Sequence, residues 1–203
     1  MITAQIKGIT LELETSPELF SPSSVDAGTL AMLDVTDFKE DDVVLDLGCG
    51  CGVVGIYAAK LVGAENAVMC DVSEKAVEVA KLNAERNGVG GVEIYQSDGL
   101  RDLPAKQFTL ILSNPPYHTD FSVAKHFIEE GFRRLTLGGR MVMVTKRLDW
   151  YKNKLTAVFG GVRVVERDGY YIFTSEKRSE RPPQKQKKPK GGMSKKLRKK
   201  TSI

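Results

Sequence analysis

The chain has 203 residues, of which 41% are hydrophobic and 28% are charged, the composition of an ordinary soluble globular protein. A chain of this length is expected to form one domain with, at most, a small appendage. Residues 1–7 lack the pattern of a secretory signal, and no apolar run approaches the roughly 20 residues that a membrane-spanning helix needs. We therefore expect a cytoplasmic protein with no membrane partner.

The positive charge of the chain is concentrated at its C-terminus. Residues 176–203 carry 12 lysines and arginines against two glutamates, whereas residues 1–175 carry 18 basic and 24 acidic residues. Several prolines and glycines and almost no large apolar side chains predict that residues 176–203 form a disordered basic tail. We divide the rest into a lead-in of strand, loop and helix (1–40) and an α/β domain (41–175).

Apolar runs that predict strands alternate with helical patterns along the chain. An N-cap at Ser73 and a stop at Asn87-Gly88 mark the clearest helix. The predicted strands are 9–13, 43–47, 67–71, 92–95, 108–113, 141–145, 162–166 and 170–173. The other predicted helices are 25–33, 53–60, 122–135 and 150–159.

The last two predicted strands flank Asp168 and Gly169, a residue pair that favours a tight hairpin. Strands joined this closely must be antiparallel. We therefore predict an α/β fold, a Rossmann-like doubly wound and mostly parallel seven-stranded sheet that ends in an antiparallel hairpin.

A glycine-rich loop follows the first strand of this sheet, and two ligand-binding motifs fit it. Gly50, Gly52 and Gly55 fit G-x-G-x-x-G, the dinucleotide fingerprint. Asp46 with Gly48, Gly50 and Gly52 fits D-x-G-x-G-x-G, the S-adenosylmethionine version. A pyrophosphate favours helix N-terminal amides, whereas the amino group of the methionine portion is a cation that Asp46 can bind. The pattern favours S-adenosylmethionine and leaves a nicotinamide oxidoreductase as an alternative.

The three cysteines, Cys49, Cys51 and Cys70, are odd in number and do not suggest a disulfide framework. Cys49 and Cys51 lack the spacing of a zinc knuckle, and the chain has only two histidines that could complete a site. We expect small side chains packed around a tight turn, and no metal.

Acidic residues also follow the next two strands. Asp71 ends a strand 25 residues after Asp46, where a carboxylate can accept both hydroxyls of a ribose. Asp98, after Ser97, can accept from the amino group of an adenine. The full set of expected cofactor contacts is Asp46, Gly48, Cys49, Gly50, Gly52, Asp71, Val72, Ser97, Asp98 and Asn114.

The motif with the most specific chemistry is Asn114-Pro115-Pro116-Tyr117, directly after the strand 108–113. Two prolines fix the backbone and donate no hydrogen bonds, so the Asn114 side-chain oxygen and the Pro115 carbonyl can accept from a substrate amino group. Tyr117 offers a face on which a planar base can stack. We expect Asn114, Pro115 and Tyr117 to be catalytic, and Pro116, Tyr117 and His118 to bind substrate.

Together the glycine loop, the acidic residues, the Asn114–Tyr117 motif and the terminal hairpin resemble the class I methyltransferases of the small-domain superfamily, over about residues 5–175. His118 and the lead-in of Leu19-Phe20-Ser21 and 25–29 are most similar to the guanine-N2 methyltransferases of small-subunit ribosomal RNA. The resemblance implies S-adenosylmethionine as cofactor and an exocyclic amino group of a base in RNA as substrate. Tyr117 stands where these enzymes commonly have phenylalanine, which leaves adenine N6 open.

Two further alternatives stay open. A methyltransferase that modifies the N5 of protein glutamine would use the same motif on another planar nitrogen. A non-enzymatic RNA-binding assembly factor would bind through the basic tail without turnover. In each RNA hypothesis the tail tethers ribosomal RNA through its phosphates, since basic residues without interleaved aromatics carry no means of reading sequence. The oligomeric state is not predicted.

Overall fold

The computed structural model of the chain describes residues 1–19, 24–116 and 121–183. Nine strands are present in these ranges. They are β1 (Ile2–Ile6), β2 (Ile9–Leu13), β3 (Val44–Leu47), β4 (Ala67–Asp71), β5 (Glu93–Gln96), β6 (Phe108–Ser113), β7 (Leu135–Thr145), β8 (Arg163–Arg167) and β9 (Tyr170–Glu176).

Five α-helices and one short 3₁₀ turn, Ala64–Asn66, connect the strands of the described residues. The helices are α1 (Ala27–Val35), α2 (Val53–Val62), α3 (Glu74–Arg86), α4 (Ser122–Arg134) and α5 (Asp149–Phe159). Within the described ranges, no helix combines the length and the apolar character needed to cross a membrane.

The predicted seven-stranded sheet is confirmed, with the strand order β5-β4-β3-β6-β7-β9-β8. Strands β3 to β7 pair in parallel, whereas β9 is antiparallel to both of its neighbours, β7 and β8. The chain builds outward from β3 to β5 and then returns to place β6 on the other side of β3. Ligands of doubly wound sheets bind where the order reverses, beyond the carboxyl ends of the strands. We call this end of β3 to β7 the carboxyl edge.

Helices cover both faces of the sheet, which explains why the central strands are apolar throughout. All four residues of β3 are buried. Val44 packs with α1, α2, α3 and the β1–β2 hairpin, whereas Leu45 and Leu47 pack with α4 and α5 on the opposite face. Burying one such leucine contributes about 1.5–3 kcal/mol, so the two layers fix the strands that present the loops of the carboxyl edge.

Three elements differ from the sequence-based expectation. Strand β9 continues to Glu176 instead of ending at residue 173, and Lys177 after it is buried and paired with Gly138 and Gly139, so the ordered chain extends past residue 176, where the disordered tail was expected to begin. The β1–β2 hairpin was not predicted: its turn uses Lys7 and Gly8, both with positive φ, rather than a more familiar pair such as Asn-Gly. Strand β7 begins at Leu135 instead of residue 141, because it continues through the Gly138-Gly139 pair, where the register with β6 also shifts. Glycines are depleted in strands, so the local pattern at this pair does not indicate that the strand continues.

Asn83 of α3 and Asn87, the C-cap of this helix, fasten the N-terminal hairpin to the sheet domain. Asn83 is fully buried, and its side chain accepts from the Glu14 amide (2.7 Å) and donates to the Glu14 and Cys51 carbonyls (2.9 Å each). Asn87 makes the corresponding pair of bonds to Glu12. The end of β2 is thereby held beside the glycine loop, so the N-terminal residues form part of the site described next.

Candidate active site

A cavity of about 350 Å³ lies at the carboxyl edge, above the point where the strand order reverses. The loops after β3, β4, β5 and β6 form one side of it, and the segment leading into α1 forms the other. The predicted site residues that line this cavity are Asp46, Gly48, Cys49, Gly50, Asp71, Val72, Ser97, Asp98, Asn114, Pro115 and Pro116. Tyr117 and His118, together with residues 184–203 of the basic tail, lie outside the described residues.

The glycines of the loop after β3 have different structural roles. Gly48, Gly50 and Gly52 all have positive φ (80°, 55° and 90°), a conformation that favours glycine. A Cβ on Gly52 would lie 3.1 Å from Ile56 and 3.3 Å from Ala80, so Gly52 serves close packing beneath the loop. A Cβ on Gly50 would meet no atom within 4 Å. The backbone at Gly50 therefore faces open space that a ligand can enter.

Asp46 lies under this loop and is only 3% exposed. Its carboxylate accepts a 2.8 Å hydrogen bond from the Gly55 amide, which ties the end of β3 to α2. Burial raises the pKa of Asp46 from 3.8 to about 7; the Gly55 bond opposes this shift, and the nearby Asp71 charge adds to it. A ligand cation beside Asp46 would stabilise its ionised form.

Asp71 uses both carboxylate oxygens to hold the loops together. One oxygen accepts from the Gly50 amide (2.9 Å) and the other from the Ser73 amide (3.0 Å). Each carboxylate oxygen can accept more than one hydrogen bond, so capacity remains for the two hydroxyls of a ribose. The next residue, Val72, is 66% exposed at the cavity, an apolar surface that a planar adenine would cover.

Ser97 and Asp98 occupy the turn after β5 in unlike ways. The buried Ser97 hydroxyl donates to the Gly99 carbonyl (2.9 Å) and accepts from the Asp102 amide (3.1 Å), so it shapes the turn. Asp98 is exposed at the cavity rim and forms an ion pair with Arg101. Ser97 thus positions the carboxylate that was expected to meet an adenine amino group.

The thiols around the loop are packing groups. All three cysteines are free, Cys49 and Cys70 are buried, and each contributes to the cavity wall. Burial raises the pKa of Cys49 and Cys51 above the usual range of a thiol, and that of Cys70 to about 12. They are therefore held as neutral thiols, which makes poor nucleophiles of them.

The charge of the cavity wall discriminates between the two ligands that the glycine motif allows. Five carboxylates and, among the described residues, no lysine or arginine line the cavity; the carboxylates belong to Glu18, Asp26, Asp46, Asp71 and Asp98. Such a wall repels the pyrophosphate of a nicotinamide dinucleotide and attracts a ligand with a sulfonium and an ammonium group. The residues present therefore fit S-adenosylmethionine.

Asn114 lies where β6 ends, and the orientation of its amide is fixed by the N-terminal segment. Its Nδ2 donates to Asp26 Oδ1 (2.8 Å) and to Thr29 Oγ1 (3.0 Å). Both N–H bonds of the amide are thereby used, and none of the described residues donates to Asn114 Oδ1. The Asn114 carbonyl oxygen remains as the acceptor that this side chain presents at the cavity.

Sequence reasoning missed the groups that hold Asn114. Asp26 also caps α1 by accepting from the Thr29 amide (3.0 Å), and it accepts a 3.4 Å hydrogen bond from the Tyr170 hydroxyl. A Cβ on Gly28 would lie 2.6 Å from the Tyr170 ring, so only glycine lets this ring pack against α1. The signal was present in residues 25–29, noted above as a similarity to one family, but no role was assigned to them.

A doubly wound sheet with β9 inserted antiparallel between β7 and β8, and with a cavity for a cationic nucleoside at its switch point, defines the class I methyltransferases. Within this class, the chain belongs to the methyltransferase small domain family, whose model matches residues 10–174.

Known relatives and a solved structure agree with this assignment. The chain is 35% identical over 167 residues to the uncharacterized protein YbxB of Bacillus subtilis (strain 168), covering 78% of this chain and 82% of that protein. It is 32% identical over 165 residues to the ribosomal RNA small subunit methyltransferase C of Serratia proteamaculans (strain 568), covering 79% of this chain and 47% of that one.

The T. thermophilus 16S rRNA N2 G1207 methyltransferase (RsmC), solved in complex with AdoMet and guanosine, superimposes with a TM-score of 0.73 and 25% identity. The match covers 87% of this chain and 50% of that one. The chain therefore spans about half the length of the ribosomal RNA methyltransferases that it matches.

Proposed function

We propose that the chain is an S-adenosylmethionine-dependent N-methyltransferase that acts on the exocyclic amino group of a base in RNA, with guanine N2 of small-subunit ribosomal RNA as the target. The observation that carries the proposal is the fixed amide of Asn114, whose oxygen is the acceptor presented to a substrate. The names of the relatives support RNA as substrate, and the solved complex with AdoMet and guanosine supports guanine.

The cofactor in this proposal supplies a methyl group bonded to a positively charged sulfur. Asp46 binds the amino group of its methionine portion, and Asp71 accepts from the ribose hydroxyls. Val72 covers one face of the adenine, while Asp98 accepts from the adenine amino group. Gly48, Cys49 and Gly50 provide the backbone against which the methionine portion lies, whereas Gly52, predicted as a contact, does not line the cavity and supports the loop by close packing.

The residues after β6 act on the substrate. A base amino group is a poor nucleophile because its lone pair is conjugated with the ring. Asn114 Oδ1 and the Pro115 carbonyl accept hydrogen bonds from the two N–H groups of this amino group and orient its nitrogen toward the reactive methyl. The Pro115-Pro116 backbone keeps these acceptors rigid. Tyr117 and His118 remain predicted base contacts. Catalysis in this scheme rests on orientation and electrostatic stabilisation.

The test is transfer of labelled methyl groups to total RNA from cells that lack the protein, followed by nucleoside analysis. The proposal expects the label in N2-methylguanosine. Label in N6-methyladenosine would keep the enzyme class and change the base. Label recovered in protein, or no transfer at all, would contradict the proposal.

We further propose that the basic tail tethers the RNA. Residues 184–203 contain nine lysines and arginines and no acidic residue. β9 ends at Glu176 opposite Arg140, at the end of the sheet away from the cavity. A segment of 20 residues extends at most about 70 Å, more than three times the length of β6, so a tail that leaves the sheet at this end can still meet RNA docked at the carboxyl edge.

Removing residues 184–203 is expected to weaken RNA binding and to flatten its dependence on salt, because fewer counterions are released per complex. The affinity for S-adenosylmethionine should stay unchanged. Filter binding of RNA across a range of salt concentrations measures both effects. An unchanged salt slope in the shortened chain would exclude the tether.

The raised pKa of Asp46 predicts that cofactor binding depends on pH. Because the folded-state pKa of about 7 exceeds the ordinary 3.8, ionising Asp46 costs stability progressively as the pH rises from about 4 through 7. A bound cation favours the ionised form, so affinity for S-adenosylmethionine should be about fivefold higher at pH 7 than at pH 6. Calorimetric titration checks this, and Asp46→Asn should bind more weakly with little change between the two pH values. If the affinity of Asp46→Asn depended on pH as strongly as that of the unmodified protein, Asp46 would not be the group that binds the cofactor cation.

A further inference from the structure

The carboxyl edge of the sheet is divided by charge. Asp46 near the end of β3, Asp71 at the end of β4 and Asp98 after β5 place carboxylates on one side of Asn114, whereas Lys146 and Arg147 follow β7 on the other side. Since β6 lies between β3 and β7, Asn114 stands at the boundary between the acidic and the basic part of this edge. The acidic part matches the cationic cofactor, and the basic part has no task in the scheme above.

Arg147 is the outermost member of a stack of flat side chains. Its guanidinium lies 4.9 Å from the centre of the Phe121 ring. Phe121 in turn stacks on Trp150, with 4.3 Å between ring centres and 10° between ring planes. Trp150 packs edge-to-face on the buried Tyr151 at 5.1 Å. We call Arg147, Phe121 and Trp150 the Arg147 stack; its inner end is anchored in the core.

Arg147 differs from other exposed arginines of the protein. Arg101 and Arg133 each form an ion pair with an acidic residue three positions earlier in the chain, whereas no carboxylate of the described residues forms an ion pair with Arg147. The Nζ of the neighbouring Lys146 lies 4.9 Å from the centre of the Tyr170 ring. The hydroxyl of this tyrosine donates to Asp26, the residue that holds the Asn114 amide. Lys146 therefore lies beside a residue that contacts Asp26, and Arg147 follows it at the same edge of the sheet.

We propose that the Arg147 stack and Lys146 bind the RNA nucleotide next to the target base. A guanidinium held over an aromatic ring offers a planar surface on which a base can stack and N–H groups that can bind a phosphate. Stacking of unpaired bases on such platforms, combined with phosphate contacts, is how single-stranded RNA is bound without extensive sequence reading. This inference rests on the proposed RNA substrate and adds where the strand lies relative to the site.

Trp150 makes the stack directly observable, because it is the only tryptophan of the chain. Titration of the full chain with a short single-stranded RNA oligonucleotide should change its fluorescence, since a base or phosphate at Arg147 alters the surroundings of the indole. Arg147→Gln should weaken this response and raise the KM for RNA in the methylation assay by about tenfold, with a smaller effect on kcat.

The matched control is Arg163→Gln, which removes another exposed arginine. Arg163 is the first residue of β8, where it pairs with Thr174 of β9 at the end of the sheet away from the carboxyl edge. This variant should retain the KM of the unmodified protein. S-adenosylmethionine binding by each variant shows that the fold and the cofactor site are intact.

The outcomes separate the two proposals. If the protein methylates RNA and Arg147→Gln has an unchanged KM, the inference is wrong while the proposed function stands. If no RNA is methylated but Trp150 responds to RNA in a manner that depends on Arg147, the surface stands and the proposed function fails. A response of Trp150 to an acidic peptide and none to RNA would overturn the inference in favour of a protein partner.

Discussion

Asn114→Ala is expected to lower kcat for methyl transfer by about 100- to 1,000-fold, because it removes the oxygen that orients and stabilises the amino group as it reacts. The affinity for S-adenosylmethionine should change little, since the Asn114 amide bonds to Asp26 and Thr29 and to none of the residues assigned to the cofactor. Steady-state kinetics with RNA and calorimetry with the cofactor measure the two quantities separately. Normal turnover by this variant would refute the assigned mechanism.

A pair of substitutions tests the orientation of the amide itself. Asn114→Asp keeps an acceptor oxygen but brings a second carboxylate against Asp26, so this variant should also be poorly active. Adding Asp26→Asn restores a donor and an acceptor at this contact with their positions exchanged. The double variant should recover part of the lost kcat. A kcat no higher than that of Asn114→Asp alone would argue against the hydrogen bond between Asp26 and Asn114 as the feature that orients the amide.

Asp26→Ser is expected to lower kcat by about tenfold with little loss of stability. Serine is a good helix N-cap and can replace Asp26 toward the Thr29 amide, but its side chain is too short to hold Asn114. Losing a hydrogen bond to a charged group is worth about 1.5–3 kcal/mol, although Thr29 still accepts from Asn114 and limits the effect. Thermal unfolding and kinetics on the same preparation give both values.

The comparison variant is Asp26→Ala, which loses the cap as well as the contact with Asn114. The free energy of unfolding of this variant should be about 0.5–2 kcal/mol lower than that of the unmodified protein. Its kcat should resemble that of Asp26→Ser. If Asp26→Ser keeps full kcat and only Asp26→Ala is impaired, the role of Asp26 is confined to the helix cap.

Much of the sheet could be predicted from the sequence, because its signals are local. The strands β3 to β6 were placed within one residue at either end, since each is an apolar run bounded by glycine or polar residues. Ser73 was expected to cap a helix, and its hydroxyl accepts from the Ala76 amide as a cap does. The Asp168-Gly169 turn correctly predicted that the sheet ends in an antiparallel hairpin.

What escaped prediction depends on contacts between distant parts of the chain. Asp26 and Asn114 are 88 residues apart, and nothing in the local pattern of either shows that they meet. No role was predicted for Asn83, although it is buried and binds Glu14 after β2 and Cys51 in the glycine loop. The deep burial of Asp46, which raises its pKa, likewise depends on how α2 packs on β3. Such roles follow from tertiary packing and not from motif spacing.

The most direct measurement is a crystal structure of the chain with S-adenosylhomocysteine and guanosine bound together. We predict that guanine N2 donates a hydrogen bond of about 2.9 Å to Asn114 Oδ1 and faces the sulfur of the cofactor product, while Asn114 Nδ2 still donates to Asp26 and Thr29. A guanine whose N2 points away from that oxygen, or a nucleoside bound outside this cavity, would contradict it.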